Sequence, residues 1–192
     1  MLHFKRRNAS LLCVIAALSI SNLAISNLAT AADAVPAAPL PPAAPAAQTP
    51  PPPPARGPSL ALALEAAQTA VATCTANGYK TTASVVDSAG VVKVTLAADG
   101  ASKRGVESSS AKAFTAVTFK TSSAAAGKKA EADPILLGLL NADPKHRPRA
   151  GALPLFVGNE LVGAIGVGGA PGGDKDEACA LAGIEKIKSR LQ

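Results

Sequence analysis

Leu153-Pro-Leu-Phe-Val157, then Gly158-Asn159, then Leu161-Val-Gly-Ala-Ile-Gly-Val167 is the stretch that decides the fold. Two short apolar runs separated by a polar, glycine-containing break read as an antiparallel hairpin. A matching pair lies upstream, where the β-branched runs 81–87 and 91–97 flank Ser88-Ala89-Gly90 and predict a first hairpin.

Around these hairpins the apolar spacing changes from two to three and four. Leu60, Leu64, Ala67, Val71 and Cys74 form one stripe, opened after Pro58-Ser59 and stopped by Asn77-Gly78, which predicts a helix packing on that stripe. Val106, Ser110, Ala113, Phe114 and Val117 predict another. Residues 122–132 are alanine-rich but interrupted by Gly127-Lys128-Lys129, and residues 134–140 predict a short helix because proline is tolerated in a first turn. Residues 143–149 contain two prolines and form a loop. Residues 174–191 close the chain as a helix, with Asp174 as N-cap and Glu177 completing a capping box. The order α-β-β-α-α-β-β-α describes an α+β domain, one antiparallel sheet of about four to five strands covered by helices, rather than a parallel βαβ sheet.

The first 58 residues have a different character. Lys5, Arg6 and Arg7 precede an apolar run from Leu11 to Ile20, and Ala29-Thr30-Ala31 is a small-x-small cleavage site, so residues 1–31 read as a secretory signal peptide cleaved near Ala31. The run is only about half the ~20 residues a spanning helix needs, so no membrane span is expected after cleavage. Cys13 leaves with the signal. Residues 32–58 hold eleven of the sixteen prolines and almost no charge, the composition of an extended Pro/Ala-rich linker. The folded domain is then residues 59–192, a length suited to one core.

The net charge of +6 falls to +3 from Ser59 onward, where 15 Lys+Arg face 12 Asp+Glu, and the chain has four Phe, one Tyr and no Trp. Neither a basic surface nor stacking platforms for nucleic acid follow from that. Export to a periplasmic or secreted location would place Cys74 and Cys179 in an oxidising compartment, as a disulfide or as two buried free thiols.

Residues 163–173 are the densest in glycine, yet no dinucleotide or phosphate-loop pattern fits: the third fingerprint glycine falls on Pro171, and no Gly-Lys-Ser/Thr occurs. Asp174, Asp176 and Glu177 in the following helix would repel a phosphate, so these glycines read as close-packing and turn positions. Domain histidine is limited to His146, too few for a triad or a zinc site, so the sequence offers no catalytic constellation. His146 sits among Lys145, Arg147 and Arg149, a grouping that suits a haem, whose iron takes an axial ligand and whose propionates take cations. The alternative is a solvated basic loop. Tyr79 is a second candidate axial ligand or a packing residue, and Lys103 and Arg104 open a helix where cations are unfavourable unless an anion is near.

The hairpin at residues 153–169, together with Asp176-Glu-Ala-Cys-Ala-Leu-Ala-Gly183, resembles the C-terminal signature of the GlcG/HbpS haem-binding family. Val85-Val-Asp-Ser-Ala-Gly90, Asp99-Gly-Ala101 and Ala111-Lys-Ala-Phe-Thr-Ala116 resemble its first hairpin turn, strand-to-helix junction and central helix. The resemblance covers nearly all of residues 60–191. It implies a profilin-like sheet, assembly into homo-oligomers, and haem binding or sensing, with His146 as preferred iron ligand and Lys145, Arg147 or Arg149 at the propionates. Phe114, Phe119, Leu136 and Leu140 would line the slot or belong to the core. Related domains also accompany corrinoid and glycolate metabolism, which implies as an alternative an accessory protein or enzyme for a small organic acid or corrinoid, with Lys112 and Arg149 binding the anion. A structural oligomer is the remaining reading.

Overall fold

The computed structural model describes residues 54–192, so the expected signal peptide and the expected linker up to Pro53 lie outside the described residues. Its elements run α1 (Leu60–Ala76), β1 (Thr82–Asp87), β2 (Val92–Ala97), α2 (Lys103–Phe119), α3 (Ser123–Glu131), α4 (Pro134–Ala142), β3 (Ala152–Val157), β4 (Glu160–Gly168) and α5 (Gly173–Ile187). The four strands form one antiparallel sheet in the order β2-β1-β4-β3. Both expected hairpins are present, and the β1–β4 pairing joins them into the α+β sheet anticipated above.

Sequence explains the joints. In the first turn, Asp87 Oδ1 accepts hydrogen bonds from the amides of Ala89 and Val91, both at 2.9 Å, while Gly90 takes a left-handed φ of +81°. Pro154 lies in β3, an edge strand with no neighbour beyond it to miss its amide. The chain is fastened before α1: Arg56 donates its amide to Ser88 Oγ at 2.8 Å and pairs through its side chain with Glu160, so the segment just before α1 is held at both hairpin turns.

Alternation along β1 sorts the core onto the two faces of the sheet. Ala83 and Val85 join Ile165, Val167 and the inner sides of α1 and α5, whereas Val86 joins Ala164, Ala152 and α2. The helices meet the sheet through smaller residues than the apolar spacing suggests. On α1 the buried residues are Ala63, Ala66, Ala67, Ala70 and Cys74, while Leu60 is 63% exposed and Leu64 is also outward. The cause is the close approach of α5: a Cβ on Gly183 would lie 2.6 Å from the Ala66 carbonyl oxygen. Likewise α2 buries Ser109, Ala113 and Ala116 and exposes Val106, because Gly166 and Gly168 let its backbone rest on β4. A Cβ on Gly166 would fall 2.2 Å from the Ser109 carbonyl oxygen, which bears out close packing as the purpose of these glycines.

Two other expectations are corrected. The Gly127 region does not interrupt the alanine-rich segment; α3 runs through it, and the missing side chain makes room for the Pro148 carbonyl, which a Cβ would meet at 2.4 Å. The capping box on α5 does not form, since Gly172 is the N-cap and makes no side-chain bond. Glu177 instead accepts the Gly151 amide at 3.2 Å, tying the helix to the start of β3.

Cys74 and Cys179 form a disulfide between α1 and α5 with their Cα atoms 5.6 Å apart. No helix among the described residues is long and apolar enough to cross a membrane.

Candidate functional site

The segment between α4 and β3 carries two prolines and no regular structure, yet it is firmly seated. Asp143 Oδ1 accepts the Lys145 amide at 2.9 Å, and the His146 amide donates to the Asp143 carbonyl at 3.0 Å, which closes a tight turn. Arg147 donates its amide to Thr115 Oγ1 on α2 at 2.7 Å, and Ser123 of α3 donates its hydroxyl to the Arg149 carbonyl at 2.6 Å. These bonds present the basic loop as a fixed surface.

His146 projects from this loop onto α2. Its side chain is 12% exposed, with its ring centroid 5.0 Å from that of Phe114 and 5.9 Å from that of Phe119. Burial lowers its pKa, an effect opposed by the charge of Asp143 and reinforced by Lys145. The imidazole is therefore neutral at neutral pH, the form in which it binds metals. Nδ1 is buried with no hydrogen-bond partner, and Nε2 lies 3.9 Å from Asp143 Oδ2, beyond hydrogen-bond reach. Among the described residues neither nitrogen has a hydrogen-bond partner.

Two clefts flank this loop. One, of about 450 Å³, is mainly apolar and lined by Val86, Val92 and Phe114, and by Lys145. The other, of about 500 Å³, is lined by Leu140, His146, Arg147 and Arg149. They share Glu107, Ala111 and Pro144, so together they offer a continuous surface that is apolar at one end and at the other carries Arg147 and Arg149 beside the carboxylates of Glu107 and Asp143. A haem needs an apolar slot, a neutral axial donor and cations for its propionates, and the residues here fit each requirement.

The other expected site residues are dispersed. Tyr79 packs against the core on the α1/α5 face of the sheet, with Lys175 Nζ 5.6 Å from its ring centroid, and so lies across the sheet from the helix that carries Phe114. Lys112 is buried: its Nζ donates to Asp176 Oδ2 at 2.6 Å and to the Val167 carbonyl at 3.0 Å. Of the expected slot residues, Phe114 and Leu140 line the clefts, Phe119 supports His146, and Leu136 lines neither. Thr115, which holds the loop down, has no distinguishing mark in the sequence, and Gly127, which receives it, reads there only as an interruption. The only signal was the unexplained glycine in an alanine-rich run.

A family model described as "Haem degrading protein HbpS-like" matches residues 59–185. Comparison with curated proteins returns no match. Among solved structures, HbpS superposes with a TM-score of 0.63 at 36% identity, covering 67% of this chain and 89% of its own. A double mutant of Streptomyces reticuli HbpS gives 0.63 at 33% identity, over 78% and 97% of the two chains. PduOC in complex with haem gives 0.62 at 25% identity, over 68% and 95%. The matched family region and these two HbpS structures together show that the chain belongs to the HbpS-like family of haem degrading proteins.

Proposed function

We propose that this protein is an exported haem-binding protein, acting in haem sensing or storage as a homo-oligomer, with His146 at the iron and Lys145, Arg147 or Arg149 at the propionates. The observation that carries the reading is His146 itself, a neutral imidazole whose nitrogens have no hydrogen-bond partner among the described residues, lining a cleft with Arg147 and Arg149 that adjoins an apolar slot. A bound haem would supply the iron; His146 would supply the donor, Val86, Val92 and Phe114 the apolar walls, and Lys145, Arg147 or Arg149 the anchoring charges. A solved relative of similar fold carries haem. Export is supported by the signal-like N-terminus and by the Cys74–Cys179 disulfide, a bond that persists in oxidising compartments.

The test is a haem titration of the purified protein followed at the Soret band, beside an albumin control and a His146→Ala variant. A saturable shift whose position changes in the variant is expected. A response no greater than that of albumin overturns haem binding, and an identical spectrum in the variant takes the iron away from His146.

A further inference from the structure

A third cleft, of about 430 Å³, lies where the β4–α5 connection meets the starts of α2 and α5 and the end of the basic loop. Four cations line it, Arg104, Lys112, Arg147 and Arg149, against one carboxylate, Asp176. Lys112 and Asp176 neutralise each other, and the second carboxylate oxygen, Oδ1, accepts the Ala170 amide at 2.9 Å, so both oxygens of Asp176 are engaged. Arg104, Arg147 and Arg149 have no carboxylate within ion-pair distance among the described residues. Three arginines without a carboxylate partner among the described residues therefore line one concave, polar space.

The acidic start of α5 is partly offset here. Asp176 points into Lys112 and Glu177 onto the Gly151 amide, while Asp174 does not line the cleft, although its Oδ1 sits beside Gly172 and its charge acts on Asp176. Gly172 provides no side-chain cap, so no side chain satisfies the first amides of α5 from that position, and Gly172 and Gly173 line the cleft. The cationic residue Arg104, unfavourably placed at the start of α2, finds its purpose if an anion sits beside it.

From this lining we infer that, in the haem-free protein, the cleft is a binding site for a small free carboxylic acid, held by Arg104 together with Arg147 and Arg149, two arginines that the proposed haem site would otherwise draw on. Guanidinium forks match the two oxygens of a carboxylate, and more than one fork in a small volume favours a compact diacid. The buried Lys112–Asp176 pair forms the floor and fixes the β4–α5 connection against α2 without adding net charge.

The experiment uses haem-free protein, so its failure is separate from that of the haem reading. Malonate is titrated by calorimetry and by thermal shift, against sodium chloride of matched ionic strength and against inorganic phosphate. Saturable binding of malonate is expected, weakened about tenfold or more in Arg104→Gln and partly kept in Arg104→Lys. Circular dichroism of the exposed-site variants verifies that they are folded. The inference is overturned by a malonate response no larger than that of matched salt, by undiminished binding in Arg104→Gln, or by tighter binding of phosphate than of malonate.

Discussion

Lys112 and Asp176 meet beneath the surface with side chains only 6% and 4% exposed. Burial raises the pKa of Asp176, while the hydrogen bond and charge of Lys112 and the amide of Ala170 pull it back. Such a pair contributes little as a whole but is costly to break, because the remaining partner is left as an unpaired charge in a dry site. Asp176→Asn is expected to lose about 3–5 kcal/mol in urea unfolding, and Lys112→Met combined with Asp176→Leu to recover most of it. A loss under about 1 kcal/mol for the single variant would show that water reaches Lys112. The sequence marked Lys112 as an anion-binding candidate, but its partner stands 64 residues away and nothing local announces it. His146 was legible as the domain's single histidine amid cations; its seat between Phe114 and Phe119 depends on where Thr115 and Ser123 hold the loop.

At the scale of elements, hairpins were readable and helix faces were not. Alternation and turn residues act over a few positions, so both hairpins follow directly from the runs at 81–97 and 153–167. On α1, leucines and alanines form neighbouring stripes, and which one turns inward is set by how closely α5 approaches through Gly183, a tertiary fact. The disulfide secures that contact. Replacing Cys74 and Cys179 together by Ser is expected to cost about 2–5 kcal/mol, since a cross-link 105 residues apart strongly restricts the unfolded chain. Denaturation with and without reductant checks this: equal midpoints for the wild-type protein would mean that the bridge contributes nothing.

For the whole molecule, the class of fold was legible because two hairpins flanked by helices leave few ways to cover one antiparallel sheet. What the pattern did not reveal is how much apolar surface stays outside. On α4, Ile135 and Leu139 are one turn apart and 78% and 66% exposed, although the helix begins with a well-formed Asp133 cap. A patch of this kind supports the proposed self-association. Ile135→Lys combined with Leu139→Lys is expected to lower the mass measured by light scattering after size exclusion, with the circular dichroism unchanged. An unaltered mass would place any assembly contact elsewhere.

The bridge between α1 and α5 also encloses both hairpin turns and the basic loop within one covalent ring, since all of them lie between residues 74 and 179. A single proteolytic nick at any of these exposed places leaves one molecule, and the two fragments can part only after a reductant has opened the ring.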